Sequence, residues 1–315
     1  MSFIVLATDT FIWNLSELLD FLITNQNKKI ILSTNNEGFC AQTVGLYQWI
    51  DKFNFEKVTL CTNNALEYHE KYHIVFESRW KFLQVRPIDY EFQKWNQQFI
   101  FGILFGRPLW SRLGIMSYMV IHHKTISQIG CATDFTNIDK RKLFEVDQLW
   151  QNDPNSMKNF CDIQHQLPIV VPNVESYKQI PYTTNMFAEQ VKNSYPNFLI
   201  EIVSESFVTG KTFFISEKTI KPMLFKKPMI IMGSKNYLAY LRQMGFRTFT
   251  DFWDESYDGY EGKDRYFKIL KLIDTLATKS LQELEYMYLS MQFTLDHNYQ
   301  LLMEQSYKKH VNEIL

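Results

Sequence analysis

Glycine and proline are scarce in this chain of 315 residues, with 11 Gly and 9 Pro. That scarcity leaves little room for flexible linkers or disordered tails. Charge of one sign is missing too. Lys and Arg total 33 against 34 Asp and Glu, a formal net charge of −1. No global basic field therefore draws the protein to nucleic acid or to an anionic membrane, although a local basic groove stays compatible with a neutral total. The 4 cysteines, Cys40, Cys61, Cys131 and Cys161, stand far apart without a CxxC pair. This argues against a zinc site and for buried thiols in a reducing compartment. No apolar run reaches the roughly 18–20 residues that a bilayer crossing needs. Met1 to Asp9 lacks the basic start and long apolar stretch of a secretory signal and reads as a first core strand, so a cytoplasmic location is expected. Aromatics, by contrast, are abundant, at 26 Phe, 17 Tyr and 7 Trp. With a hydrophobic fraction of 46%, the composition is that of a globular protein long enough for two domains.

Hydrophobic periodicity alternates along the chain. Apolar, β-rich runs at 3–7, 29–33 and 57–61 predict strands, and the spacing at 14–24 and 44–53 predicts helices between them. Residues 99–120 read as a loop followed by a buried helix from about Ser111. The polar stretch from Gln151 to Pro172 shows no period and reads as a crossing between domains. The alternation then resumes, with strands at 198–203, 213–215 and 229–232 and helices at 217–225 and 237–244. Gly245 is placed to end the last of these as a left-handed cap, and 247–249 reads as a short strand. Helices fill the remainder, including 266–277 and 281–295. The expected fold class is α/β, with two Rossmann-like domains facing across a cleft and a helical C-terminus. Its domains are 1–155, 156–290 and a terminal helix over 291–315.

The most informative segment is Phe214-Ile215-Ser216-Glu217-Lys218-Thr219-Ile220-Lys221-Pro222, followed by Lys227-Pro228-Met229-Ile230-Ile231-Met232-Gly233. It predicts a helix capped by Ser216 and then a buried strand. The unsatisfied N–H groups of the first helical turn, with Lys218 beside them, make a seat for phosphate, and Glu217 offers an acceptor to ribose or sugar hydroxyls. An ordinary capped surface helix opens in the same way, so the pattern alone leaves both readings open.

These two stretches resemble the donor-binding segment of GT-B glycosyltransferases, with fucosyltransferases and exostosin-like enzymes the nearest. The continuation through Asp251-Phe252-Trp253-Asp254-Glu255-Ser256-Tyr257-Asp258 is similar to proteins of phages and giant viruses. The resemblance covers about 200–260. It implies transfer of a sugar from a nucleotide-sugar donor, UDP- or GDP-linked, without a bound metal or further cofactor. It also implies a donor site of Ser216, Glu217, Lys218 and Thr219, with an arginine from another loop on the diphosphate. Acceptors compatible with it are a glycan, a protein or a modified phage DNA base, and the location would then be a host-cell cytoplasm. One departure is Pro222, which removes a backbone donor inside the helix and predicts a bend.

Arg107 and Arg112 are the candidates for that arginine, each with a structural ion pair as the plain alternative. The cluster Asp251, Asp254, Glu255 and Asp258 does not follow a calcium-loop spacing. It reads as a tight turn, with Glu255 beside an aromatic shelf suited to sugar hydroxyls. Tyr68 to His73 reads as an exposed polar turn rather than a metal helix. For the base that takes the acceptor proton, the carboxylates after the N-terminal strands are Glu37, ranked first, and Asp9; His122-His123 competes with them. Two rival classes stay in view. One is a non-catalytic nucleotide- or glycan-binding module, and the other an assembly protein that self-associates through its aromatic, helical C-terminus.

Overall fold

Short apolar runs form parallel strands in this protein, and the amphipathic stretches between them form the crossover helices. The computed structural model describes residues 5–7, 15–34, 40–43, 45–76, 94–171 and 189–314. Two units are present, each with its own parallel sheet. Unit 1 comprises Met1–Gln84 with Thr209–Ser216, and unit 2 comprises Val85–Val208 with Glu217–Leu315.

In unit 1, strands β1 (Val5–Ala7), β2 (Lys29–Thr34), β3 (Lys57–Thr62) and β4 (His73–Phe76) lie side by side in sequence order. Every pairing is parallel, with Leu6 opposite Leu32 and Leu32 opposite Leu60. Helices α1 (Leu15–Thr24) and α2 (Leu46–Ile50) supply Leu22, Leu46, Tyr47 and Ile50 to a core shared with Ile30, Leu32, Val58 and Leu60. At the carboxyl end of β3 the buried Asn64 binds the distant segment of the unit. Its Nδ2 donates to the Lys211 carbonyl at 3.1 Å, its Oδ1 accepts from Phe213 N at 2.9 Å, and Ala65 N reaches the Phe213 carbonyl at 3.0 Å.

Unit 2 holds β5 (Phe99–Phe105), β6 (Ser127–Cys131), β7 (Phe198–Ser204) and β8 (Met229–Met232), in the order β6-β5-β7-β8 and parallel throughout. Helix α3 (Trp110–His122) crosses from β5 to β6, and α7 (Glu217–Leu224) crosses from β7 to β8. Between β6 and β7 come α4 (Lys140–Asn152), α5 (Pro154–Ile163) and α6 (Glu189–Ser194). α8 (Tyr237–Gln243), α9 (Gly262–Ala277), α10 (Leu281–Ser290) and α11 (Gln292–Ile314) follow. All residues of β6, β7 and β8 are buried, the signature of a sheet covered on both faces. α11 packs on α7, with Lys226 Nζ 2.7 Å from Asp296.

Several expectations hold and several are corrected. The α/β class, the parallel sheets and the helical C-terminus are present. Gly245 has φ 93° and closes α8 as foreseen, with Gly245 N on the Arg242 carbonyl and Phe246 N on that of Leu241. The division at residue 155 is not where the units part, because β5 and β6, before it, share one sheet with β7 and β8. The polar stretch after Gln151 is helix α5 rather than a crossing. Asp153 caps it by accepting from Asn155 N at 3.1 Å, and Pro154 opens its first turn. Residues 99–105, read as a loop, form β5, whose near-complete burial erases the alternation that marks a strand. Residues 213–215 and 247–249 are not strands. The helix expected over 281–295 ends at Ser290, and α11 begins at Gln292.

Candidate functional site

The strand order of unit 2 singles out one place. From β5 the chain goes to β6 on one side and then returns to β7 on the other, so β5 and β7 are neighbours from which the connections diverge. A parallel sheet opens a crevice for ligands outside the carboxyl ends of two such strands. Here those ends are Gly106 to Leu109, after β5, and Glu205 to Val208, after β7.

Arg112 and Ser111, in the first turn of α3, build this edge. The Arg112 guanidinium is 3% exposed and donates from Nε and Nη2 to the Ser204 carbonyl at 3.1 and 2.7 Å. Its Nη1 reaches the Arg107 carbonyl at 3.1 Å, and Ser111 Oγ lies 3.2 Å from Ser204 Oγ. The side chain proposed as a diphosphate ligand thus holds backbone carbonyls that carry the loop after β5 against the last residue of β7. Arg107 is half-buried on that same loop and is the arginine of the pair nearer to solvent. The first N–H of α3, on Trp110, goes to Glu145 Oε2 at 2.8 Å, and burial pushes the Glu145 carboxyl up while this bond opposes it.

Beyond β7 lies a residue that sequence reasoning did not single out. Glu205 is buried, and its Oε1 accepts from Thr219 Oγ1 at 2.6 Å and from Tyr237 OH at 3.1 Å. Burial first, then Glu205, pushes the Tyr237 hydroxyl up, so it stays protonated and donating. Thr219 is therefore engaged beneath the first turn of α7. Its expected neighbours divide: Ser216 is buried in unit 1, whereas Glu217 and Lys218 open α7 in unit 2 with side chains 16% and 17% exposed. Lys218 Nζ lies 2.7 Å from Glu217 Oε1. The only hint to Glu205 in the sequence was its place directly after a continuous apolar strand.

A second acidic group lies lower on β7. Glu201 accepts from Tyr195 OH at 2.6 Å and lies 3.2 Å from Lys221 Nζ, and burial pushes its carboxyl up. Lys227 donates to the Phe198 carbonyl at 2.8 Å. Burial draws its ammonium down to about 7, with Glu201 opposing. Helix α7 continues past Pro222, since Phe225 N reaches the Lys221 carbonyl at 3.1 Å. The proline has no N–H to offer the Lys218 carbonyl.

Asp254, Glu255 and Asp258 work as local scaffold. Asp258 accepts from Leu238 N at 2.8 Å and Ala239 N at 3.0 Å, capping α8, and meets the fully buried Arg265 at 3.0 Å. Glu255 accepts from Phe249 N at 2.8 Å and from Arg242 at 3.2 Å, with burial raising its carboxyl. Asp254 holds Ser256 N at 2.8 Å. Asp254, Glu255 and Ser256, with Arg242, Asp251 and Trp253, line an open depression of about 690 Å³. Glu255 thus accepts on both oxygens, Oε1 from Phe249 N and Oε2 from Arg242 of α8.

Glu37 and Asp9 lie outside the described residues. The carboxylate in the loop after β3, Glu67, accepts from Ala41 N at 2.9 Å and Tyr47 OH at 2.7 Å, both bonds within its own unit. His122 and His123 sit at the C-terminal end of α3, with His123 Nε2 2.9 Å from Asp274. They stand a whole helix away from the strand ends, and so do not join the candidate site. Among the described residues no group of three His, Cys, Asp or Glu is placed to hold a metal ion, and no helix is long and apolar enough to cross a membrane. No protein-family profile, curated protein or solved structure matches the chain.

Proposed function

We propose that the protein is a GT-B-type glycosyltransferase, in which unit 2 holds a nucleotide-sugar donor and unit 1 serves the acceptor. One observation carries the reading: a partly buried Glu217–Lys218 ion pair opens the helix that follows the strand at the divergence of the sheet. The first turn of such a helix offers N–H groups and a positive dipole end to an anion. A diphosphate would compete with Glu217 for the Lys218 ammonium, and the released carboxylate would then accept from ribose or sugar hydroxyls. Arg107 is the second cation of the reading. Arg112, Glu205 and Thr219 position this edge rather than touch the donor.

In the transfer, the bond from the anomeric carbon to the diphosphate oxygen breaks, and the nucleoside diphosphate leaves with its electron pair. A bond to the acceptor oxygen forms as a base takes the acceptor proton, with Glu37 ranked before Asp9 for that task. The donor is UDP- or GDP-linked, and the acceptor is a glycan, a protein or a modified DNA base.

Calorimetric titration with UDP, GDP and their sugar conjugates tests the proposal. Binding by one nucleotide series, weakened at least tenfold in Lys218→Ala, is the expected result. Silence from every donor would overturn it. Binding without release of nucleoside diphosphate in the presence of any acceptor would instead define a non-catalytic binding module.

A further inference from the structure

The chain leaves unit 2 after Val208, joins unit 1 from Thr209 to Ser216, and re-enters unit 2 at Glu217. The strap so formed ends directly before the residues on which the proposed donor site rests. One buried side chain of unit 1 holds it at two points. Asn64 uses both ends of its amide on the strap backbone, donating to the Lys211 carbonyl and accepting from Phe213 N. An amide so placed imitates the edge of a neighbouring strand, and Ala65 N adds a bond to the Phe213 carbonyl. The remaining capacity of Asn64 goes inward, with Oδ1 accepting from Leu66 N at 3.1 Å and Nδ2 3.5 Å from Glu67 Oε2. Its own N–H meets Thr62 Oγ1 at 3.1 Å, so the residue is fixed at the carboxyl end of β3 before it grips anything else. After Phe213 the strap continues through the buried Phe214, Ile215 and Ser216, with no glycine between the clasp and Glu217.

We infer that Asn64 is a positioning residue for the first turn of α7: by clasping the strap, unit 1 fixes the backbone that enters Glu217 and Lys218. The inference rests on the donor-site reading for its functional meaning, but the clasp itself is testable without any ligand. A helix that starts with few intrahelical bonds is ordered from outside, by whatever holds the chain that feeds it. α7 is short, and Pro222 withholds one of its bonds, so an external anchor has more influence on this helix than on a long one.

Hydrogen–deuterium exchange on the full chain decides it, comparing the parent with Asn64→Ala, Asn64→Asp and Tyr47→Phe. Asn64→Ala should speed exchange at Ala65 and Phe213 at least tenfold, and also at Ile220, Lys221 and Met223, the first amides that an α-helix starting at Glu217 ties down. The β7 amides at 200–203 should stay as slow as in the parent, showing that unit 2 remains folded. Asn64→Asp keeps the acceptor for Phe213 N and should give an intermediate rate there. Tyr47→Phe, which loosens unit 1 without touching the strap, should leave 211–223 unchanged. Unaltered exchange at Lys221 and Met223 in Asn64→Ala would overturn the inference, as would an equal response in Tyr47→Phe. For whichever of UDP or GDP binds, Asn64→Ala should raise Kd about five- to tenfold, and an unchanged Kd would sink the positioning role. If neither nucleotide binds the parent protein, the donor reading fails, while the exchange at Lys221 still decides the clasp.

Discussion

Both units are parallel sheets, yet only one of them turns back on itself. In unit 1 the strands follow one another in order, β1-β2-β3-β4, so each described connection advances in the same direction. In unit 2 the order β6-β5-β7-β8 makes the chain diverge on either side of β5 and β7. The difference shows in how the strand ends are used. At the carboxyl end of β3, Asn64 and Glu67 spend their hydrogen bonds on the backbone and side chains of unit 1 itself. At the ends of β5 and β7, buried groups such as Arg112 and Glu205 hold the framework, and the partly buried charges Arg107, Glu217 and Lys218 lie on the segments beside them. A polar strand end is therefore not a site by composition. What distinguishes the two among the described strands is the order: at the ends of β5 and β7 the connections diverge, and at the end of β3 they do not.

Substitutions can break this contrast. Arg112→Ala removes the guanidinium from two buried carbonyls and should lower unfolding stability by about 3 kcal/mol, read from a urea midpoint. Tyr47→Phe, which removes one bond to Glu67 in unit 1, should lower it by about 1 kcal/mol. Equal losses would mean that the strand divergence in unit 2 has no special dependence on its arginine.

Lys218→Ala should weaken nucleotide binding by about 2 kcal/mol, the range of a charge-assisted hydrogen bond, while leaving thermal unfolding nearly unchanged. A fall in melting temperature with no change in affinity would make the pair a structural cap.

A pH effect should belong to unit 2. Lys227 falls from 10.5 in the unfolded chain to about 7 in the folded one. Between these values the unfolded state carries the extra proton, so this group makes stability rise with pH across that window and takes it away as pH falls through about 7. The slope from one proton is at most about 1.4 kcal/mol per pH unit. Lys227→Met should flatten it in a series of melts from neutral to alkaline pH. An unchanged slope would show that the ammonium is not desolvated.

The smallest expected effect is on α5. Asp153→Ala should cost about 1 kcal/mol through loss of its N-cap, which a linker at that position would not feel.

How much of this was legible from sequence depended on how far each element is buried on both sides. The β2, β3, β7 and β8 strands announce themselves as apolar runs bounded by polar residues, and α8 by its terminal Gly245. β5 did not, because Phe-Ile-Phe-Gly-Ile-Leu-Phe is apolar on both faces and carries a glycine that reads as a break. That glycine has a packing reason: a Cβ on Gly102 would lie 2.5 Å from the Phe198 ring of β7. Missing β5 and β6 moved the domain division to 155, since Asn152-Asp153-Pro154-Asn155 is at once good turn chemistry and a good helix start. The helix opening at Glu217 was readable from Ser-Glu-Lys. Glu205 was not, because its bonds to Thr219 and Tyr237 join positions that only the folded sheet brings together.

The path of the backbone has a consequence for portability. Because Thr209–Ser216 is built into unit 1 while both its flanks belong to unit 2, neither half can be excised as a continuous stretch. A fragment stopping at Gln84 would lack part of its own body, and one starting at Val85 would carry an orphaned insert. Recombination that swaps the first 84 residues for those of another protein would need a matching insert 125 positions downstream, so the two halves are bound to change together.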